Sequence, residues 1–235
     1  MQPFDSGRSY LIIFNRTPAK AENLIQKGAQ WCGTPMAVAQ SSDIVFSIVG
    51  FPVDVEQVLL GDQGVLAGAR PGIVIVDMTT SSPELARKIF YICQSKGVSA
   101  LDAPVSGGDV GAKEGTLAIM VGGEKRTFKK IKLLFQLLGK KIAYMGHAGA
   151  GQHSKMCNQI LIAGTMMGTI ESLLYAYKVG MNLNAVIDII GQGAASSWTI
   201  NNLGRRIAKG DLDPGFMIKH FIKDIEIALR PGAQN

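Results

Sequence analysis

Residues 72–103 read GIVIVDMTTSSPELARKIFYICQSKGVSALDA. The opening apolar run, Gly72 to Asp77, is strand-like, and Pro83 to Lys96 carries helical spacing with proline in the first turn, where its missing N–H costs nothing. Ser99 to Ala103 returns to a short apolar run. A strand, a helix and a second strand in succession form a crossover unit, and crossover units build parallel sheets. The same alternation extends in both directions. Upstream, Tyr10 to Phe14 and Asp43 to Val49 read as strands, with Pro18 to Lys27 and Val53 to Leu60 as helices. Downstream, Thr116 to Val121 and Lys141 to Met145 read as strands around a helix from Lys125 to Leu138. The first 146 residues are therefore expected to be an α/β domain with a doubly wound parallel sheet.

Strand alternation stops at GHAGAG, residues 146–151. From Ser154 to Val179 apolar residues recur at helical spacing without a proline, and Gly180 fits a C-terminal stop. Further helices are expected at Leu183 to Ile190, Trp198 to Ala208 and Met217 to Leu229. Residues 147–235 thus read as a second, all-helical domain, with the boundary at Gly146 to Gly151.

With 47% hydrophobic and 18% charged residues, a 235-residue chain can fill one ordinary core and a smaller second one. The formal net charge of +6 would suit nucleic acid or a small anionic ligand. Lys and Arg are scattered, however, and the densest cluster, Lys125 to Lys132, falls on a helix pattern and reads as a solvated face, so no nucleic-acid partner is expected. Cys32, Cys93 and Cys157 have no paired spacing, which points to a reducing compartment rather than a disulfide framework or a four-ligand zinc site. His147 and His220 have no ligand partners at metal-site spacing, and His153 reads as a surface or capping residue. No uninterrupted apolar run reaches the ~18 residues of a membrane span, and MQPFDSGRSY does not have the form of a signal peptide. The chain is expected to be soluble, without a membrane partner.

In a doubly wound sheet, ligands lie beyond the carboxyl ends of the strands. After Phe14 come Asn15, Arg16 and Thr17; an arginine there, in place of an acidic residue, suits a ribose with a 2′-phosphate, and an exposed turn would carry the same residues. After Val49 come Phe51 and Pro52, and after Asp77 come Thr79 and Thr80; each pair suits the nicotinamide half of a dinucleotide and equally suits plain strand-to-helix punctuation. After the next strand the string Asp102-Ala103-Pro104-Val105-Ser106-Gly107-Gly108 places two glycines behind a serine. That lets backbone N–H groups approach an anion, such as a substrate carboxylate, without side-chain obstruction. In the helical half, GQHSKMCNQ (151–159) puts Lys155 and Asn158 three residues apart on one helix face. Lys155 stands among few other charges, and partial desolvation would bring it towards a useful acid/base range.

The strings DAPVSGG (102–108), GQHSKMCNQ (151–159) and FIKDI (221–225), in this order, resemble the substrate loop, catalytic helix and cofactor-contacting helix of the 3-hydroxyacid dehydrogenase family. The likeness is greatest to the 3-hydroxyisobutyrate dehydrogenase-like branch, which also holds glyoxylate and semialdehyde reductases, and it runs from about Tyr10 to Leu229. The resemblance implies a Rossmann-like domain and a helical domain with the active site between them. It implies NADP as cofactor, with NAD as the alternative, and hydride exchange with a short 3-hydroxyacid such as 3-hydroxyisobutyrate, as in valine degradation. Lys155 would be the acid/base and Asn158 would orient substrate held by Ser106, Gly107 and Gly108. Asn15, Arg16, Thr17, Phe51, Pro52, Thr80 and Lys223 would contact the cofactor. A homo-oligomer such as a dimer in the full-length form, and a mitochondrial or cytoplasmic location, go with the likeness. A glyoxylate or succinic semialdehyde reductase would use the same lysine.

Two departures from the family pattern stand beside the likeness. Nothing before Tyr10 reads as the opening strand and G-x-G-x-x-G turn of such a domain, and the sequence ends at PGAQN where the family continues through further helices. Gly149-Ala150-Gly151 imitates the glycine turn but coincides with the domain junction. On these grounds the chain is expected to be truncated at both ends and missing the first strand of its sheet, which also admits a non-catalytic variant.

Overall fold

The computed structural model describes residues 10–213 and 215–229, which form two compact units dividing after Lys155. The first unit begins with β1 (Ile12–Ile13), α1 (Glu22–Gln26), β2 (Gln30–Trp31), α2 (Pro35–Gln40), β3 (Ile44–Ser47), α3 (Pro52–Leu60) and α4 (Val65–Gly68). It continues through β4 (Val74–Asp77), α5 (Pro83–Ser95), β5 (Ser99–Asp102), β6 (Val105–Ser106), α6 (Gly108–Glu114), β7 (Leu117–Gly123), α7 (Lys125–Leu138) and β8 (Gly139–Gly146).

β3, β4 and β5 are parallel neighbours, and Ser47, Asp77 and Asp102 occupy matching register positions at their carboxyl ends. Every residue of β4 is buried, as a strand covered on both faces must be. Side-chain alternation sorts the core: Ile73 and Ile75 pack with Val55, Leu59, Ile89 and Cys93, whereas Val74 and Val76 pack with Phe128, Ile131 and Phe135. Helices α3 and α5 therefore cover one face and α7 the other, which is the doubly wound arrangement expected. α5 starts where the sequence places it because Ser82 Oγ accepts the Leu85 N–H at 3.0 Å and Pro83 fills the first turn.

The structure departs from the sequence reading in several places, among them β6 and α6, which fall where the sequence reading has only a loop. The Tyr10 to Phe14 strand shrinks to Ile12–Ile13, paired in parallel with the unforeseen β2 in a separate two-stranded sheet. It ends early because Asn15 Oδ1 accepts the Thr17 N–H at 3.0 Å, turning the chain. The Pro18 to Lys27 helix divides into a 3₁₀ turn, Pro18–Ala21, followed by α1. α2 and α4, six and four residues long, are too short to show a helical period. The six-stranded sheet, finally, is mixed rather than wholly parallel: β7 runs antiparallel to β5 and β6 and parallel to β8. The close approach of β7 to β5 needs Gly123, at φ 128°, where a Cβ would lie 2.6 Å from Leu101 Cδ2. Residues 1–9, on which the reading of a missing glycine turn rests, lie outside the described residues.

α8 (Ala150–Lys178) carries the chain into the second unit, followed by α9 (Leu183–Ile190), a π-helical turn over Thr199–Gly204, α10 (Arg205–Ala208) and α11 (Ile218–Leu229). Gly180 at φ 75° ends α8, with the Met181 N–H returning to Ala176 O at 2.9 Å. The core of this unit is small, built on Leu173, Ile187 and Ile200. By length and composition alone, α8 is the one helix among the described residues apolar enough to cross a membrane.

Candidate active site

The carboxyl edge of β3, β4 and β5 carries the loops singled out after Val49 and after Asp77 and the start of the Asp102 string, whereas Asn15 to Thr17 follow β1 of the two-stranded sheet. Asp77 Oδ1 accepts the Ser47 hydroxyl at 3.2 Å and the Thr79 N–H at 3.1 Å, and Thr79 Oγ1 in turn accepts the Val49 N–H at 2.9 Å. The segment leading to Phe51 and Pro52 is thereby tied to the one carrying Thr79 and the half-buried Thr80. Burial pushes the Asp77 carboxyl up to about 6 against the opposing pull of the Thr79 and Ser47 hydrogen bonds. Pro52 opens α3, and Asp54 in its first turn accepts the Phe51 N–H at 3.1 Å. The other oxygen of Asp54 lies 3.3 Å from the guanidinium of Arg16, whose side chain is 82% exposed.

Ser106 ends β6, and Gly107 and Gly108 follow with φ of 130° and 64°. Only glycine adopts both conformations readily, so this loop cannot carry Cβ atoms without strain. Asp102, the first residue of the same string, is buried on β5. Its Oδ1 accepts the Gly149 N–H at 2.8 Å and its Oδ2 accepts the Gln152 N–H at 3.0 Å, so the carboxylate caps the start of α8. Burial raises its pKa, and the Gly149 and Gln152 N–H groups draw it back. Gln152, fully buried, bonds in both directions: its Oε1 accepts the Ser81 N–H at 2.9 Å and its Nε2 donates to Thr79 O at 2.8 Å. Lys155 follows three residues later and is only 6% exposed.

Asn158, one turn further along α8, is half-buried. Its Nδ2 donates to Gln159 Oε1 at 2.7 Å, and Gln159 Nε2 donates to Asp224 Oδ2 on α11, also at 2.7 Å. Lys223 Nζ lies 2.8 Å from the other oxygen of Asp224, close enough to pair in charge but off the hydrogen-bond direction. Asp224 accepts only, so the Gln159 amide must turn its nitrogen to the carboxylate and its oxygen to Asn158. Four consecutive groups are thus fixed in polarity.

The structure thus places Asn15, Arg16, Thr17, Phe51, Pro52, Thr80, Ser106, Gly107, Gly108 and Lys155 in the first unit. Asn158 and Lys223 are in the second, and α8 carries both Lys155 and Asn158. Sequence reasoning gave no role to Asp102, Gln152, Gln159 or Asp224. Gln159 was findable, four residues from Lys155 and so on its helix face, and Asp224 adjoins Lys223. The partners of Asp102 and Gln152 are 47 to 73 residues away, and no local spacing signals them. Among the described residues no three His, Cys, Asp or Glu side chains gather as metal ligands.

Residues 5–146 match the NAD-binding domain of 6-phosphogluconate dehydrogenase, and residues 149–234 match the NAD-binding domain of NADP-dependent 3-hydroxyisobutyrate dehydrogenase. The chain belongs to the 3-hydroxyacid dehydrogenase family. Its members here are NAD(P)-dependent oxidoreductases. Among relatives, a probable mitochondrial 3-hydroxyisobutyrate dehydrogenase-like protein of Arabidopsis thaliana is 49% identical over 93% of this chain and 66% of its own length. The 2-hydroxy-3-oxopropionate reductase of Escherichia coli (strain K12) is 40% identical over 89% of this chain and 72% of its own length. A solved structure of Mycobacterium tuberculosis 3-hydroxyisobutyrate dehydrogenase with L-serine superposes with a TM-score of 0.85 at 28% identity, over 95% of this chain and 78% of that one. The start of α3, opened by Pro52, and the exposed guanidinium of Arg16 beside it are groups that could hold a phosphate of a nicotinamide dinucleotide.

Proposed function

We propose that the chain exchanges a hydride between NADP(H) and a short 3-hydroxyacid, with Lys155 as the proton carrier. The observation that carries this reading is the buried lysine on α8, one turn beyond a glutamine locked to the loop after β4 and one turn before Asn158. The cofactor, when bound, supplies or takes the hydride. Lys155 takes the substrate hydroxyl proton in oxidation and returns it in reduction. Ser106 and the N–H groups of Gly107 and Gly108 hold the substrate carboxylate, and Asn158 orients the hydroxyl so that proton and hydride paths are short. Asn15, Arg16 and Thr17 serve the adenosine end of the cofactor, with Arg16 on the 2′-phosphate, while Phe51, Pro52, Thr80 and Lys223 serve its nicotinamide half. A homo-oligomer completes the reading, supported by the apolar side chains that α8 leaves exposed, among them Ile160, Leu161, Met167 and Leu174.

The test is steady-state turnover of 3-hydroxyisobutyrate by Lys155→Ala. Removing a positioned acid/base typically costs about a hundredfold to ten-thousandfold in rate, and unchanged kcat would rule the role out. A reductase for small semialdehydes is the second reading, favoured by the Escherichia coli relative that reduces 2-hydroxy-3-oxopropionate by name. Comparing kcat/KM for glyoxylate, succinic semialdehyde and 3-hydroxyisobutyrate separates the two.

A further inference from the structure

We infer that Asp102 is the positioning residue for Lys155: its carboxylate receives the first-turn amides of α8 and so fixes where that helix starts and how it is turned. This rests on the reading of Lys155 as the proton carrier. The first amides of a helix have no partner within it, and here two of them, Gly149 N–H and Gln152 N–H, end on the two oxygens of one buried carboxylate at 2.8 and 3.0 Å. Two bonds to two oxygens of a side chain held in a β-strand set direction as well as distance.

Packing closes off the alternatives. A Cβ on Gly151 would stand 2.4 Å from Met120 O and 2.8 Å from Asp102 Oδ2, and one on Gly122 would stand 2.6 Å from Asp102 Oδ1 and 2.7 Å from Gly151 N. The helix start is therefore pressed against β5 and β7 with only hydrogens between. Gln152 adds a third fixed point through its paired bonds to Ser81 and Thr79, which its amide cannot reverse without losing both. Lys155 is three residues along, about 4.5 Å of helix rise away, so whatever sets the first turn sets the lysine.

The experiment uses the full chain with Asp102→Asn, Asp102→Glu and Lys155→Ala. Asparagine keeps the shape but faces one α8 amide with its own NH₂. Two readouts are taken: kcat and KM for NADPH-linked turnover, and hydrogen exchange of the peptide spanning residues 149–155. For Asp102→Asn we expect exchange in that peptide to accelerate at least tenfold while β3 and β4 keep their protection, and kcat to fall at least tenfold with both KM values within threefold. A uniform loss of folded enzyme would also lower apparent kcat at constant KM, so it is the retained protection of β3 and β4 that separates a displaced Lys155 from unfolding. Asp102→Glu keeps the charge but lengthens the arm, and we expect the same loss in kcat to a smaller degree; it also stands in should Asp102→Asn fail to fold. Lys155→Ala should lose turnover with exchange unchanged. Turnover surviving in Lys155→Ala would overturn the proton-carrier reading and this inference with it. Turnover lost there but unchanged in the Asp102 variants would overturn this inference alone, and so would unaltered exchange in the 149–155 peptide.

Discussion

Asp77 shows how a single side chain at the strand ends both organises and strains the first unit. One of its oxygens takes the Ser47 hydroxyl and the Thr79 N–H, and burial lifts its pKa from 3.8 to about 6. A carboxyl raised in the folded state contributes stability that is full below its unfolded pKa and is lost as pH rises through the folded value. The protein should therefore lose stability between about pH 4 and pH 6 on account of this group, by at most about 3 kcal/mol at ~1.36 kcal/mol per unit. Asp77→Asn keeps an oxygen for both donors and removes the buried charge. It should raise the melting temperature at pH 7.5 by several degrees and leave it unchanged near pH 4; equal effects at both would show that the charge is not the cause. The chain from Asn158 through Gln159 to Asp224 works by polarity instead. Asp224→Ala should leave the Gln159 amide free to reverse, weakening the presentation of Asn158 Oδ1, and should release Lys223 from its ion pair, so that KM rises for both the hydroxyacid and NADPH, as initial-rate kinetics would show.

At the level of elements, α8 carries two kinds of glycine that should respond in opposite directions. Gly151 sits where a Cβ meets Met120 O at 2.4 Å, so Gly151→Ala must displace backbone and should cost ~1 to 3 kcal/mol. A Cβ on Gly164 would meet nothing within 4 Å, and the residue lies mid-helix, so Gly164→Ala should gain about 0.5 to 1 kcal/mol. Urea unfolding of both variants reads the contrast; a loss at Gly164 instead would mean that another protein surface packs against it. The same division explains what was legible in the sequence. β4, α5 and β5 were, because short apolar runs, helical spacing and a first-turn proline are local signals. The direction of β7 was not, since it is set by which strands it pairs with, β5 and β6, and no local period in an apolar run shows its partners. Lys155 and Asn158 were visible by helical spacing, whereas Asp102 stood in a recognised string without a role until its distant partners on α8 were in place.

For the molecule as a whole, the question is whether the net charge of +6 or one side chain chooses the cofactor. A positive field attracts NADH and NADPH alike and acts over a Debye length of ~8 Å at physiological salt, so it should strengthen both and fade as salt is added. It favours NADPH only through the additional charge of the 2′-phosphate. Arg16 acts differently. Its guanidinium is exposed and held near α3 by Asp54 at 3.3 Å, so it can meet a phosphate with directed, charge-assisted hydrogen bonds. Such bonds contribute about 1.5 to 3 kcal/mol each, or roughly tenfold to a hundredfold in affinity. If Arg16 sets the preference, Arg16→Ala should bring NADPH binding down to within a fewfold of NADH while the fall of NADH affinity with salt stays as it was. Fluorescence titrations of both cofactors at two salt concentrations, on the full chain and on the variant, distinguish the cases. Should NADPH keep its full advantage in Arg16→Ala and lose it only with salt, the diffuse field would be the selector and the role given to Arg16 would be wrong.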